Sequence, residues 1–180
     1  MKFPAHSYRM ITYPGKDYYP LADGFDPSWW DVWKSSQSDS EFYYDKKTGK
    51  TAVPSLNLIN KDKPNACFVF NSHPLRPGKE YTLTVWVKSD KDAEATLSIM
   101  GKSGHSARDP WGEAAKEENI PGATAGTKGR VAAGKWTQLK LVFKVPAGGV
   151  WHKADCFAVT LGGGTANCKY WFDDLLIEEK

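Results

Sequence analysis

The chain has 180 residues, of which 41% are hydrophobic and 25% are charged, a composition typical of one compact globular domain. Its formal net charge of +3, from 24 basic and 21 acidic residues, excludes a protein whose affinity depends on neutralising many nucleic-acid phosphates. The sequence has no apolar run of the length that a membrane-spanning helix needs, and residues 1–16 lack the apolar stretch of a signal peptide. We therefore expect either a cytoplasmic protein or a domain of a longer secreted chain.

Aromatic and turn-forming residues dominate the composition. There are eight Trp, eight Tyr and eight Phe, together with 16 Gly and 11 Pro. Aromatic residues favour strands, and Gly and Pro favour the tight turns that join short strands. The composition therefore predicts an all-β protein, a single domain over residues 1–180.

The first fifty residues contain repeated turn signals and two aromatic clusters, and we predict two or three short strands there. One cluster holds Trp29, Trp30 and Trp33, of which at least one is expected in the core; the sequence does not say which. Segments 55–59 and 66–70 then predict two strands.

Beyond Pro77-Gly78 the hydrophobic pattern has a period of two, which predicts strands with one buried face. In the clearest example, residues 81, 83, 85 and 87 are apolar and alternate with Thr82, Thr84, Trp86 and Lys88. Further strands are predicted over 95–100, 137–145, 157–161 and 169–178. Many short strands at this spacing indicate a β-sandwich or jelly roll.

Residues 101–134 are polar and rich in Gly and Ala, and we predict a long loop insertion between strands. Within it, Asp109-Pro110 forms a helix start, because Asp caps a helix and Pro suits its first position. A short helix over residues 113–118 is the expected result.

Three motifs resemble a known family. The segment 76–88, RPGKEYTLTVWVK, the segment 134–139, GKWTQL, and the segment 170–177, YWFDDLLI, are similar in order and spacing to strands of jelly-roll carbohydrate-binding modules of families 4, 9 and 22. The resemblance covers residues 66–180 and implies a β-sandwich that binds glycan chains without cleaving them. It also implies an extracellular or cell-surface setting, tethered to other domains such as a polysaccharide-degrading enzyme.

A sugar ring stacks its C–H face on an aromatic ring, and its hydroxyls need directional polar partners. We therefore predict Trp86 as a sugar platform, with Lys88 and Gln138 donating hydrogen bonds. The small residues Ala158 and Thr160 are expected on neighbouring strands, leaving room for a groove beside Trp86. In the alternative interpretation, Trp86 packs beneath the insertion and anchors it.

Two further Trp residues are candidate ligand contacts on loops, where recognition is often placed. Trp111 lies in the insertion near Arg108, and both are predicted to contact ligand; in the alternative, Trp111 only packs the loop against a sheet. Trp151 follows the Gly148-Gly149 turn and is predicted to be exposed at a loop tip.

The resemblance also implies a structural calcium ion that ties the start of the chain to the last strand. Asp173 or Asp174 would supply a carboxylate, together with Asp26 near the start of the chain. Calcium takes about six to eight oxygen ligands, many from the backbone, so a sequence reveals only a few of them. In the alternative, the two aspartates simply face solvent.

Three cysteines leave at least one thiol unpaired within the chain. Cys156 and Cys168 could form a disulfide if a hairpin is centred near Gly162, whereas a wider loop would forbid it. Cys67 is expected to be a small buried residue.

Catalysis is not expected from this sequence. The four His residues are far apart, with no metal-binding spacing, and no nucleophile elbow or phosphate loop is present. We predict a non-catalytic module whose partner is a polysaccharide or oligosaccharide rather than a nucleic acid or a membrane. The alternative is a structural or protein-docking sandwich of an extracellular or virion protein.

Overall fold

The computed structural model describes residues 16–19, 30–51, 53–104 and 118–180. These residues form β-strands joined by short turns, as the hydrophobic alternation predicts. The strands are β1 (Lys16–Tyr19), β2 (Trp30–Lys34), β3 (Glu41–Asp45), β4 (Ser55–Asn60), β5 (Ala66–Pro74), β6 (Glu80–Ser89), β7 (Ala93–Ser103), β8 (Glu118–Val131), β9 (Thr137–Lys144), β10 (Cys156–Gly163) and β11 (Cys168–Glu179). All seven strands predicted after residue 54 are confirmed.

The strands form two antiparallel sheets packed face to face. Sheet A has the order β3-β4-β11-β6-β9, and β1 pairs with the far end of β11. Sheet B has the order β2-β5-β10-β7-β8. Strands that follow one another in sequence, such as β4 and β5 or β10 and β11, lie in opposite sheets. This crossing between two sheets gives the jelly-roll sandwich.

The core lies between the sheets and is built from alternate residues of each strand. Leu83 and Val85 of β6 and Val159 and Leu161 of β10 are fully buried. Removing each such side chain from water contributes about 1.5–3 kcal/mol, so the two inner faces supply most of the stability. Trp86, between two core residues of β6, faces outward as predicted.

The predicted insertion over 101–134 is partly wrong, because the structure places regular strand there. Residues 101–103 complete β7, and β8 pairs with β7 along residues 118–131. At Gly129 of β8 a side chain has no room, because a Cβ there would lie 2.4 Å from Cδ2 of Leu139 in β9. The predicted helix start at Asp109-Pro110 lies outside the described residues, and only Glu118 of the predicted helix is described, as the first residue of β8.

The cysteines do not form a disulfide. Cys156 begins β10 in sheet B and Cys168 begins β11 in sheet A, so the hairpin that would bring them together is not formed. Cys67, Cys156 and Cys168 are all free thiols. In the described part of the chain, no helix has the length and apolar character needed to cross a membrane.

Candidate functional site

The outer face of sheet B carries a trough whose floor consists of small side chains. Antiparallel pairing places facing residues of all five strands side by side. Two neighbouring rows, taken from β2 to β8, are Trp33, Cys67, Gly162, Thr96 and Lys128, and then Asp31, Val69, Thr160, Ser98 and Gly126. The central strands present Gly, Ser and Thr, whereas β2 presents Trp. The surface is therefore depressed over the middle of the sheet and raised at the β2 edge.

The depression has a volume of about 580 Å³. Trp33 and Asp31 line it on the β2 side, and Lys102 and Asn119 line it on the side of β7 and β8. Val69, Met100 and Thr160 lie between them. The site therefore combines a floor of small and apolar side chains with a carboxylate, an ammonium and an amide at its borders.

Trp33 is the most prominent side chain of this site, and the packing of β2 explains its exposure. Trp33 is three positions after Trp30, an odd number, so in a strand the two side chains point to opposite faces. Trp30 is 4% exposed and packs against Phe70 with ring centroids 5.3 Å apart. Trp33 is 52% exposed, since the same strand turns it outward. Trp33 is not among the site residues predicted from the sequence, although its odd spacing from Trp30 is a signal that points to it.

Cys67 lies on the floor beside Trp33 and is chemically quiet. The residue faces Trp33 across the pairing of β2 with β5. Burial raises the pKa of the Cys67 thiol to about 11, so the thiol stays protonated near neutral pH. Cys67 therefore acts as a small apolar contact and not as a nucleophile.

The predicted site residues Trp86, Lys88 and Gln138 do share one surface, but it is the outer face of sheet A. Trp86 faces Gln138 across the pairing of β6 with β9. The Nζ of Lys50 lies 4.6 Å from the centre of the Trp86 ring, so the turn after β3 partly covers the ring. Trp86 thus contacts a neighbouring turn, and residues 105–117 of the insertion lie outside the described residues, so the alternative that the insertion covers Trp86 stays a prediction.

The groove predicted beside Trp86 is wrong in one respect. Ala158 and Thr160 belong to β10 in sheet B, on the opposite side of the sandwich from Trp86. Thr160 does line a groove, but that groove is bordered by Trp33, whereas Ala158 is fully buried and is not one of its lining residues. Alternation within a strand predicts which residues share a face; it does not predict which sheet the strand joins.

The prediction that Trp151 is exposed is also wrong. Trp151 lies in a 3₁₀ helix, Gly149–Lys153, and is only 6% exposed. Its ring packs 4.6 Å from the Phe143 ring, and a Cβ on Gly101 would lie 3.0 Å from it. Trp151 therefore fills the end of the core. Arg108 and Trp111 lie outside the described residues, so their role in binding stays a prediction.

Asp173 and Asp174 lie at an irregularity of β11, where the pairing register with β6 shifts. Asp174 has a positive φ of 50°, a conformation that Asp tolerates better than most residues. The Asp173 carboxylate accepts hydrogen bonds from the backbone N–H of Lys50 at 2.5 Å and of Asp174 at 2.9 Å. The Thr51 hydroxyl donates to Asp174 at 2.5 Å. The pair thus ties the turn after β3 to the last strand.

This pair has the chemistry of a calcium ligand but falls short of a complete site. Burial raises the pKa of the Asp173 carboxyl because it disfavours the ionised form. A cation bound nearby would act in the opposite direction and favour the ionised form. Each carboxylate oxygen has two lone pairs, so the hydrogen bonds do not prevent ligation. Among the residues that the structure describes, however, no three His, Cys, Asp or Glu side chains cluster as a metal site. Asp26 lies outside those residues.

Comparison with known proteins gives a likeness in structure alone. Neither a family model nor a curated protein sequence matches the chain. The second xylan-binding CBM22 domain of Paenibacillus barcinonensis Xyn10C has a TM-score of 0.62 at 13% identity, over 91% of this chain and 98% of that one. A CBM4 structure has a TM-score of 0.53 at 16% identity, over 84% of this chain and 86% of that one.

The chain has the jelly-roll fold of these carbohydrate-binding modules. A third structure holds the CBM22-1 and GH10 modules of Clostridium thermocellum xylanase 10B complexed with xylohexaose. Its TM-score is 0.60 at 17% identity; the match covers 89% of this chain but spans only 28% of that one. The jelly-roll fold predicted from the three sequence motifs is confirmed.

Proposed function

We propose that this protein is a non-catalytic carbohydrate-binding module that holds a polysaccharide chain in the trough of sheet B. Trp33 carries the proposal, because a half-exposed Trp at the edge of a trough offers a flat apolar ring to the C–H face of a sugar. The hydroxyls of Thr160 and Ser98 and the charged groups of Asp31 and Lys102 provide the directional partners that sugar hydroxyls need.

The similar structures support this proposal. One of them is named as a xylan-binding domain of P. barcinonensis Xyn10C, and the C. thermocellum structure contains xylohexaose. We therefore propose a β-linked plant-type polysaccharide as the first ligand class to test. We further propose that the chain acts outside the cell, tethered to a carbohydrate-active enzyme, as the CBM22-1 module is joined to GH10 in that structure.

The test is affinity electrophoresis of the protein in gels that contain xylan, β-glucan, mannan or an algal polysaccharide. We expect retardation by at least one neutral polysaccharide, and we expect Trp33→Ala to abolish it. Trp33→Phe is the matched control and should retain most of the binding, because it keeps an aromatic platform. The melting temperature of both variants should stay near that of the unaltered protein, since the Trp33 side chain is half exposed on the outer face of sheet B.

Two outcomes would contradict the proposal. Retardation that Trp33→Ala leaves intact but Trp86→Ala removes would move the site to the outer face of sheet A. Absence of retardation in every gel would favour the structural or protein-docking sandwich, because that alternative needs no glycan ligand.

For calcium, we propose Asp173 and Asp174 as carboxylate ligands, with Asp26 as a third. The adjacent carboxylates, at the irregularity of β11, support this assignment. An ion there would contribute charge neutralisation and a cross-link between the start of the chain and β11. EDTA should then lower the melting temperature, and excess Ca²⁺ should restore it. Asp174→Asn should abolish the response; an unaltered melting temperature in EDTA would exclude the ion.

A further inference from the structure

The acidic groups on the outer face of sheet A are already satisfied by neighbours. Glu41 accepts hydrogen bonds from the Nζ of Lys61 and from the hydroxyl of Tyr43. The Asp45 carboxylate accepts from Nε1 of Trp171 at 2.7 Å and from the backbone N–H of Lys47 at 2.8 Å. Lys61 therefore neutralises Glu41, whereas Asp45, at the end of β3, keeps its negative charge because its two partners are neutral N–H groups.

Two ammonium groups on the same face are in a different situation. Lys50 lies 4.6 Å above the Trp86 ring, and Lys88 lies 5.6 Å above the Trp171 ring. Within the described part of the chain, neither ammonium lies within ion-pair distance of a carboxylate. Each is held over an aromatic face by cation–π attraction, which leaves its N–H donors available to an anion.

A row of four facing side chains, two of them aromatic, crosses the same face. Tyr43, Asn57, Trp171 and Lys88 face one another across β3, β4, β11 and β6. Tyr43 is 50% exposed, and two strand spacings separate it from Trp171, a distance of about 10 Å. That interval is close to the length of a disaccharide unit, so when one sugar ring stacks on Tyr43, the second ring further along the same chain lies beside Trp171 and Lys88.

We propose that this outer face of sheet A is a second ligand surface, which takes an acidic polysaccharide. A sugar ring stacks on the exposed Tyr43, while carboxylate or sulfate groups of the chain pair with Lys50 and Lys88, which the Trp86 and Trp171 rings hold in place. A neutral chain would leave the two ammonium groups unpaired, whereas an anionic one satisfies them, so charge complementarity selects the ligand. The proposal rests on the carbohydrate-binding function and adds a second, separate site on the opposite sheet.

The experiment uses polygalacturonate as the acidic probe and unsubstituted xylan as the neutral one. Binding of both is measured by calorimetry for the full chain with Trp33→Ala, which disables the trough. We expect this variant to lose xylan binding and to keep polygalacturonate binding. Adding Lys50→Gln and Lys88→Gln should then weaken polygalacturonate about tenfold or more, and raised salt should weaken it as well.

The matched control is Lys135→Gln with Lys153→Gln, which removes the same charge from exposed positions elsewhere. Tyr43→Ala should reproduce the loss without altering net charge. Equal losses in the two lysine pairs would mean unspecific attraction and would overturn the second site. Loss of both probes in Trp33→Ala would overturn it too, yet would leave the trough assignment standing. If the unaltered protein binds neither probe nor any other polysaccharide, the carbohydrate function itself fails.

Discussion

The carboxylate of Asp173 accepts a hydrogen bond at 2.5 Å from the backbone N–H of Lys50, a residue 123 positions earlier in the chain. Asp173 is fully buried, so this bond joins the exposed turn after β3 to the buried part of the last strand. The same turn carries Lys50 over Trp86. The position of a surface lysine is therefore fixed by a buried carboxylate.

Asp173→Ala tests this link. The substitution leaves the N–H groups of Lys50 and Asp174 without their acceptor, and each such loss costs about 1–3 kcal/mol. We expect a lower free energy of unfolding in urea by about 2 kcal/mol or more. Asp62→Ala, which removes an exposed side-chain bond to Asn167, should change it little. Equal stability of the two variants would show that the buried bond contributes nothing.

Trp151→Ala separates a core role from a binding role. Because Trp151 is 6% exposed and packs on Phe143, we expect the free energy of unfolding to fall by about 3–5 kcal/mol. The folded protein should bind polysaccharide as before. Val150→Ala, at the exposed neighbouring position, serves as the control and should stay within about 0.5 kcal/mol of the unaltered protein. Weakened binding with unchanged stability would instead support the prediction that Trp151 is an exposed ligand contact at a loop tip.

Thr160→Phe should block the trough. The side chain points outward from the middle of sheet B, so a larger group occupies the space of a ligand without entering the core. We expect polysaccharide affinity to fall by about tenfold or more, with the melting temperature nearly unchanged. Gln138→Phe places the same ring on the outer face of sheet A and should leave affinity for a neutral chain intact. The opposite pattern would place the neutral-chain site on sheet A.

The Cys67 thiol provides a pH-dependent probe of the trough. The pKa of the Cys67 thiol is about 11 in the folded protein, so the reactive thiolate is scarce at pH 8. As the pH is raised from 8 towards the pKa, the thiolate fraction increases about tenfold for each pH unit. Iodoacetamide should therefore label the native protein slowly at pH 8 and faster as the pH rises. A bound polysaccharide should slow labelling further, because Cys67 lines the trough.

Two results would count against this view of Cys67. Rapid labelling at pH 8 would mean that the thiol is more exposed than in the structure, where Cys67 is half-buried. Labelling of the Cys67→Ser variant at the same rate would mean that Cys156 or Cys168, which are fully buried, had become accessible.

Much of the fold could be predicted from the sequence, because period-two alternation directly reflects one buried and one exposed face. The strands of residues 81–88 and 137–145 follow from this pattern alone. The strand β8 could not be predicted, since Gly126 and Gly129 look like loop residues. Their small size reflects close contacts with Ser98 and Leu139, which only the assembled sheets reveal.

The candidate site was harder to predict because it depends on which strands become neighbours. Trp86 and Thr160 both face outward, as their alternation indicates, yet they lie on opposite sides of the sandwich. Trp151 follows two glycines, which suggested an exposed loop, but the 3₁₀ helix turns its ring inward. Trp33 belongs to a cluster of three Trp residues, and the sequence does not say which of them is buried. The pairing of β2 with β5 defines the register and turns Trp33 outward.

The pairing of β2 with β5 has a consequence for ligand recognition. β2 is an edge strand of five residues, and Trp30 and Trp33 lie on its two faces. A slip of one residue in the pairing would expel Trp30 to solvent and press Trp33 into the interior. The hydrophobic cost of exposing Trp30 therefore works as a positioning force for the sugar platform, and a bound chain, by holding Trp33 outward, would in turn resist fraying of this edge.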